Sequence, residues 1–404
     1  MSKSNPLKLF SFNKVIVPLI LGIGVAIFLI AKDFTQPIIT EVPMGEGAYY
    51  WVDANNDDAK ELSELHYADI NNKGNIKVDY QKNILKNILK TWTWGSTFCL
   101  LIAMFFAMMR DLMYMYRLRF LSDKQLSWKQ SFQLIMLWEI SSAITPTVVG
   151  GSAVAFFIVS LEGIGVARST AIVMITALLD ELFYIIIAPI AILLVGVDLA
   201  FIHDFDFNVF GQKFGVITVF FIGFGFMWLL TIIILLAIFI YPRGFKWVLY
   251  SLSRKKLFRK SKSKLQKIGD DVIVSSKEFK GKSFWFWIKA YFITVGSWMS
   301  RFLVVNFLIL AFTPIADHVW VFARQLVMWI ILCISPTPGS TGIAEFAFPV
   351  FFREFIPLGL GSTLSVLWRI FTYYPYIVLG LIVLPIWTKR VITRQKQKKR
   401  NIQE

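Results

Sequence analysis

Charge is scarce in this chain: Asp, Glu, Lys and Arg make up 17% of 404 residues, while 56% are hydrophobic. So few charges cannot cover the surface of a water-soluble domain, so a polytopic membrane protein is indicated. Cysteine is nearly absent. Cys99 and Cys333 both sit in apolar runs, which excludes a disulfide framework and reads as packing. The histidines, His66, His203 and His318, stand alone and match no metal spacing. The sequence also lacks a nucleophile elbow, a Walker loop, an HExxH motif and an acidic metal cluster, so neither an enzyme nor a cofactor is expected. Acidic residues are outnumbered by basic ones, 26 against 42. Such an excess can mark nucleic-acid binding. Here the basic residues fall in loops between apolar runs, which is the positive-inside bias of membrane proteins, so no nucleic-acid partner is expected.

What is present is a series of apolar spans. Val15 to Ala31 follows Lys3, Lys8 and Lys14 and has no small-residue cleavage site, so residues 1–31 read as an uncleaved signal-anchor helix. Residues 32–92 form a polar extracytoplasmic segment, too small to build much core alone. Within it, Asp53-Ala54-Asn55-Asn56-Asp57 with Glu64 echoes a calcium loop. Asp58 stands where that loop needs Gly, so the stretch reads as a solvated acidic turn. Residues 93–388 form the membrane domain, with spans at Trp94–Tyr116, Ser169–Val195, Phe214–Ile240, Phe284–Phe312 and Leu364–Trp387. Arg110, Arg117, Arg119, Lys124 and Lys129 read as a cytoplasmic loop after the first of these. Residues 241–283 are a basic cytoplasmic loop, either solvated or lying along an anionic lipid surface, and 389–404 a basic cytoplasmic tail.

Two stretches break the apolar pattern. Ile334-Ser335-Pro336-Thr337-Pro338-Gly339-Ser340-Thr341-Gly342 cannot continue a helix, because prolines remove donors and glycines favour turns. Ile144-Thr145-Pro146-Thr147-Val148-Val149-Gly150-Gly151 is its earlier partner. Broken backbone at membrane depth is tolerated only beside protein or a water-filled cavity. Placement of basic loops puts the first broken segment on the cytoplasmic side and the second on the outside. The expected fold is an all-α polytopic membrane protein, an inverted-repeat helical bundle with two re-entrant broken-helix hairpins.

Ionisable residues inside apolar spans are costly and therefore mark candidate sites. They are Glu139, Asp180, Glu181, Arg301, Arg324, Glu345 and Arg369, the last near Tyr373, Tyr374 and Tyr376. Arg301 and Arg369, with the helix N-termini made at the breaks, suit a phosphate. The carboxylates suit these arginines or a cationic head group. Glu139 and Arg324 read as residues that reach for an interface.

The run Pro336-Thr337-Pro338-Gly339 with Gly342 and Glu345, followed by Trp368-Arg369 and the tyrosines, resembles the lysylphosphatidylglycerol synthase transmembrane (flippase-like) family. Thr145-Pro146 with Gly150-Gly151, then Gly163 to Asp180, is similar to that family's first-half signature. The chain departs from it at Gly339-Ser340-Thr341-Gly342, where the family has Gly-Gly-Leu-Gly, and at Thr176-Ala177, where it has Glu-Arg. The resemblance implies a flippase-like transporter of a phospholipid or polyprenyl-linked lipid. Its core site would be Pro336, Pro338, Gly339, Gly342, Glu345 and Arg369, with Asp180 from the other half. Thr145, Pro146, Gly150, Gly151, Arg301, Thr337 and Tyr373 complete the expected head-group site. No synthase domain follows in this sequence, so aminoacylation by this chain alone is not expected. Two alternatives stay open: a membrane-embedded transferase acting on a lipid carrier, or a scaffold for a lipid-modifying partner enzyme.

Overall fold

The computed structural model describes residues 20, 23–25, 27, 28, 31, 37–52, 65–68, 73–145, 147–209, 211–254, 262–315 and 317–403. Most of the expected anchor, the calcium-like stretch from Asp53 to Glu64, and Pro146 lie outside the described residues. The polar segment carries short strands that the sequence reading did not place. Strands β1 (Pro37–Glu41), β2 (Tyr49–Trp51), β3 (Leu65–Tyr67) and β4 (Ile76–Tyr80) pair in the order β1-β4-β2-β3. Register runs from Pro37 opposite Tyr80 to Glu41 opposite Ile76, and Ile76 is buried. Helix α1 (Gln81–Lys90) then leads to the membrane domain. There Trp92 meets Phe312 edge to face, with centroids 5.3 Å apart.

Helices dominate from there on. They are α2 (Trp94–Leu121), α3 (Trp128–Ile144), α4 (Thr147–Leu161), α5 (Val166–Val195), α6 (Val197–Ala200) and α7 (Val216–Leu235), which ends in a π-helical turn at Leu236–Ile240. Then follow α8 (Pro242–Arg254), α9 (Lys262–Lys280), α10 (Phe284–Leu310), α11 (His318–Cys333), α12 (Ile343–Phe351), α13 (Gly361–Thr372) and α14 (Tyr374–Gln403). A small hairpin of β5 (Asp206–Val209) and β6 (Gln212–Gly215) joins α6 to α7. Among the described residues, five stretches are long and apolar enough to cross a membrane: Trp94–Leu121, Val166–Val195, Val216–Ile240, Phe284–Leu310 and Gly361–Gln395. A helix needs about twenty residues to do so. The protein is therefore a helical, multi-pass membrane protein.

The helix pair α3–α4 folds back on itself. Ser127 opens α3 with a capping box shared with Gln130. At the turn, Gly151 lies so close to Ser142 that any Cβ at position 151 would strike the serine hydroxyl. At the mouth, Gln130 from the start of α3 donates to Glu162, just past α4, at 2.8 Å. The pair α11–α12 does the same with opposite sense. Arg324, near the start of α11, reaches the carbonyl of Phe351, the last residue of α12, at 3.5 Å and Glu354, just past that helix, at 3.2 Å. Its Nε also holds the Leu199 carbonyl beyond the end of α5 at 2.5 Å. Glu162 precedes the start of α5 and Leu199 follows its end, so the two hairpins close at opposite ends of that helix.

Two apolar cores follow from this arrangement. One is built by the Leu199 end of α5 with α7, α10, α11, α12 and α13, and holds Phe183, Phe302, Phe348 and Trp368. The other is built by α2, α3, α4, the Val166 end of α5 and α14, and holds Leu121, Leu134, Ile172 and Trp387. Lipid tails are as apolar as these side chains, so within the bilayer the cores hold the helices together through close packing rather than through removal from water. Helices α2 and α10 run alongside and knit the bundle through Phe106–Phe307 and Phe120–Phe286, stacked at 5.5 and 4.7 Å.

Candidate functional site

A cavity of about 300 Å³ opens where the tips of the two hairpins meet, walled by both cores. The first tip is made by α3, whose last turn is closed by Thr145 donating to the Ser141 carbonyl at 2.7 Å. The second tip is the Pro-Thr-Pro-Gly turn. Gly339 and Gly342 adopt positive φ, +57° and +86°, a region that side chains with a Cβ disfavour. Ser340 sits there too, at φ 54°, and its hydroxyl donates back to the Leu332 carbonyl at 3.2 Å. Glu345, fully buried in the first turn of α12, accepts from the Gly342 amide at 2.7 Å. Arg369 completes the turn from α13. Its Nε lies 3.0 Å from Glu345 Oε1, and its Nη2 points at the carbonyls of Gly339 and Ser340.

Tyr373 ties the tips together. Its hydroxyl lies 3.0 Å from Thr341 Oγ1 at the second tip and donates to the Ala143 carbonyl at the first, at 3.3 Å. It can do so because the last span is interrupted there. Helix α13 stops at Thr372, and Tyr373 has φ −134° and ψ −59° before α14 begins at Tyr374. Pro375 explains the interruption: it lacks an N–H and is tolerated in the first turn of a new helix.

The structure places Thr145, Asp180, Arg301, Thr337, Gly339, Arg369 and Tyr373 in the cavity wall, as the sequence reading grouped them. Glu345 lies behind the wall, beneath Arg369. Pro336, Pro338 and Gly342 shape the turn rather than line the cavity, and Pro336 is exposed. Gly150 and Gly151 lie in the first turn of α4, and Gly151 serves the close approach to Ser142. Pro146 falls outside the described residues.

Arg110 and Arg117 correct the sequence reading, which put them in a cytoplasmic loop. Helix α2 continues to Leu121, and both arginines are buried within it, facing the cavity. With Tyr114 they fall at i, i+4 and i+7, one face of a helix, and that spacing was the available signal. Arg110 pairs with Asp111 at 2.8 Å and Glu139 at 2.5 Å, so Glu139 is a cavity residue rather than an interfacial one. Arg117 grips Asp180 with both terminal nitrogens, at 2.6 and 3.1 Å, and donates to Thr294. Trp298 adds a hydrogen bond to Asp180 at 2.8 Å. Arg324 is also buried, but it closes the hairpin mouth and does not reach the cavity.

Four arginines thus converge on one chamber, and three have carboxylate partners. Arg301 differs. Among the described residues it has neither an ion pair nor a hydrogen bond. Its guanidinium lies over Trp329 at 4.2 Å and beside Trp298 at 5.4 Å, with a buried and unpartnered Nε. Stacking on indole holds the group in place while leaving its edge donors free. The chamber can therefore accept an anionic oxygen group without breaking an existing pair.

Such a fold and site define a multi-pass helical membrane protein with a charged chamber between two interrupted hairpins. The chain belongs to the family described as the lysylphosphatidylglycerol synthase TM region, which matches residues 79–380. It is also similar to a UPF0104 membrane protein of Archaeoglobus fulgidus, 24% identical over 294 residues, covering 67% of this chain and 81% of that relative. No solved structure matches the chain.

Proposed function

We propose that this protein moves a phospholipid or polyprenyl-linked lipid across the plasma membrane, with its head group passing through the chamber between the hairpin tips. The carrying observation is Arg301, a cation held by two tryptophans in a chamber whose other arginines are paired. The head group's phosphate docks there. The acyl chains stay in the bilayer beside the apolar wall, so only the polar end needs the chamber.

The element order supports an inverted repeat. A span, a hairpin and a span (α2, α3–α4, α5) are followed by the same series with opposite sense (α10, α11–α12, α13–α14), as transporters built around broken helices are. In this reading both hairpins are re-entrant, and rocking of the halves opens the chamber to each side in turn. The basic end, with Arg254 and the lysines of α9, faces the cytoplasm together with both termini. On α8, Arg243, Trp247, Tyr250 and Arg254 share one exposed face, which suits the headgroup region of an anionic leaflet.

The test is transbilayer movement of a fluorescent phospholipid in vesicles holding the purified protein. Arg301→Ala is expected to reduce the rate at least tenfold while changing the melting temperature little, because its lost stacking is worth about 0.5–2 kcal/mol. Unchanged movement in that variant removes Arg301 from the site.

A further inference from the structure

Asp180 and Glu181 stand side by side on α5 but have different surroundings. Asp180 is held by Arg117 and Trp298. Glu181 lines the same cavity, is 8% exposed, and accepts one hydrogen bond, from the Thr231 hydroxyl of α7 at 2.8 Å. Among the described residues no Lys, Arg or His lies within ion-pair distance of it. The helices packed on α5 explain why. Helix α2 presents Arg117 and Tyr114, but the arginine is committed to Asp180. Helix α10 presents Trp298, also committed to Asp180, and Arg301, which is stacked on indoles. Helix α11 presents Cys333, which carries no positive charge, and α5 itself adds Tyr184. Helix α4 has no ionisable residue, and no described residue of α6 or α9 bonds Glu181.

We propose that Glu181 is a proton-binding site through which lipid movement is coupled to a pH gradient; this rests on the transport reading above. Carboxylates at membrane depth need a compensating positive charge, and those of pumps and transporters often carry protons. Glu139, Asp180 and Glu345 have fixed arginines for this purpose. Glu181 has none, so its compensation must be mobile and must arrive through the cavity. Thr231 suits a group that changes its charge. A hydroxyl donates to a carboxylate and, after rotating, accepts from a carboxylic acid, so both forms keep a partner. The step is simple: an O–H bond forms on Glu181 as a proton enters from one side, and it breaks as the proton leaves to the other. One carboxylate and one hydroxyl offer too few oxygens to replace a sodium ion's hydration shell.

The test uses the full-length protein in vesicles of phosphatidylethanolamine and phosphatidylglycerol, with phosphatidylglycerol labelled on its acyl chain as probe. Sidedness of the probe is read by dithionite quenching with and without a pH difference. For one proton per lipid, one pH unit is expected to shift the inner-to-outer ratio by up to about tenfold. Glu181→Gln should abolish that response. Glu181→Asp should keep it with a moved pH midpoint, and Thr231→Ala should move the midpoint as well. A gradient response that survives in Glu181→Gln overturns the proposal. So does a response to sodium instead of pH, or wild-type movement that ignores the gradient, and either of these leaves the transport reading standing. Absence of any probe movement by the wild type overturns both.

Discussion

Both hairpins are closed at the mouth by charged side chains, Arg324 in the second and Glu162 in the first, but they differ at the tip. The second is braced at its tip, where Arg369 and Glu345 form a buried ion pair under the Pro-Thr-Pro-Gly turn. The first is braced at its mouth. There Glu162, buried past the end of α4, accepts from Gln130, Trp387 and Arg390, while Arg394 donates to its backbone carbonyl. From outside the hairpin, its tip is held by the Tyr373 hydroxyl on Ala143. A tip fixed by charge is rigid, whereas a tip held by one neutral hydrogen bond can part from its partner at low cost. On this comparison the first hairpin tip is expected to be the moving wall of the chamber and the second the fixed one.

Arg369→Ala tests the fixed wall and carries the largest expected effect. It strands Glu345, which is fully buried, so stability should fall by about 3–5 kcal/mol. Thermal unfolding in detergent measures this directly. Replacing both partners by leucine should recover most of the loss, because an apolar pair leaves no buried charge behind. A single variant as stable as the parent would mean that the pair does not brace the tip.

Tyr373→Phe tests the moving wall. It removes the hydroxyl shared by Ala143 and Thr341 and leaves the ring in place, so about 1 kcal/mol should be lost. The sharper readout is motion. Hydrogen exchange at α3 residues near Ala143 should speed up while amides near Glu345 stay protected. Equal acceleration at both tips would erase the distinction between them.

Much of this was legible in the sequence, for reasons that particular residues show. The spans stand out because about twenty apolar residues leave no other solution. The tips stand out because Pro336, Pro338, Gly339 and Gly342 are turn formers in an apolar run. Asp180, Arg301, Glu345 and Arg369 stand out as charges where charge is costly. Arg110 and Arg117 were missed because the positive-inside bias assigns basic residues at a span's end to a loop, and only their helical spacing with Tyr114 argued otherwise. The interruption at Tyr373 was missed although Pro375 signalled it. Which arginine lacks a partner was not legible at all. Pairing depends on the crossing of α2, α5 and α10, which no local pattern encodes. The strands of residues 37–80 were overlooked because each is short, yet Ile76-Lys77-Val78-Asp79-Tyr80 alternates as a half-buried strand does.

The smallest effect concerns the mouth end of the first hairpin, where Asp123 joins three helices. It follows α2 and holds Arg168 of α5 at 2.6 Å and Lys282, just before α10, at 2.9 Å. Burial pushes the Asp123 carboxyl up, but the hydrogen bonds and charge of Lys282 and Arg168 outweigh this and hold it below the ordinary carboxylate range. A carboxyl depressed in the folded state binds its proton more readily when unfolded. Its contribution is therefore complete above the ordinary carboxylate range and is lost as pH falls through the depressed folded value. The side chain is 46% exposed, so solvent screening limits the gain to below about 1 kcal/mol. Asp123→Asn should lower the melting temperature slightly at neutral pH and have no effect once the pH lies below the folded value. The two curves, measured in detergent from pH 7 downward, should converge in acid. Curves that stay parallel would show that the three-way contact is geometric rather than electrostatic, and would leave Glu162 as the brace on which the first hairpin's mouth depends.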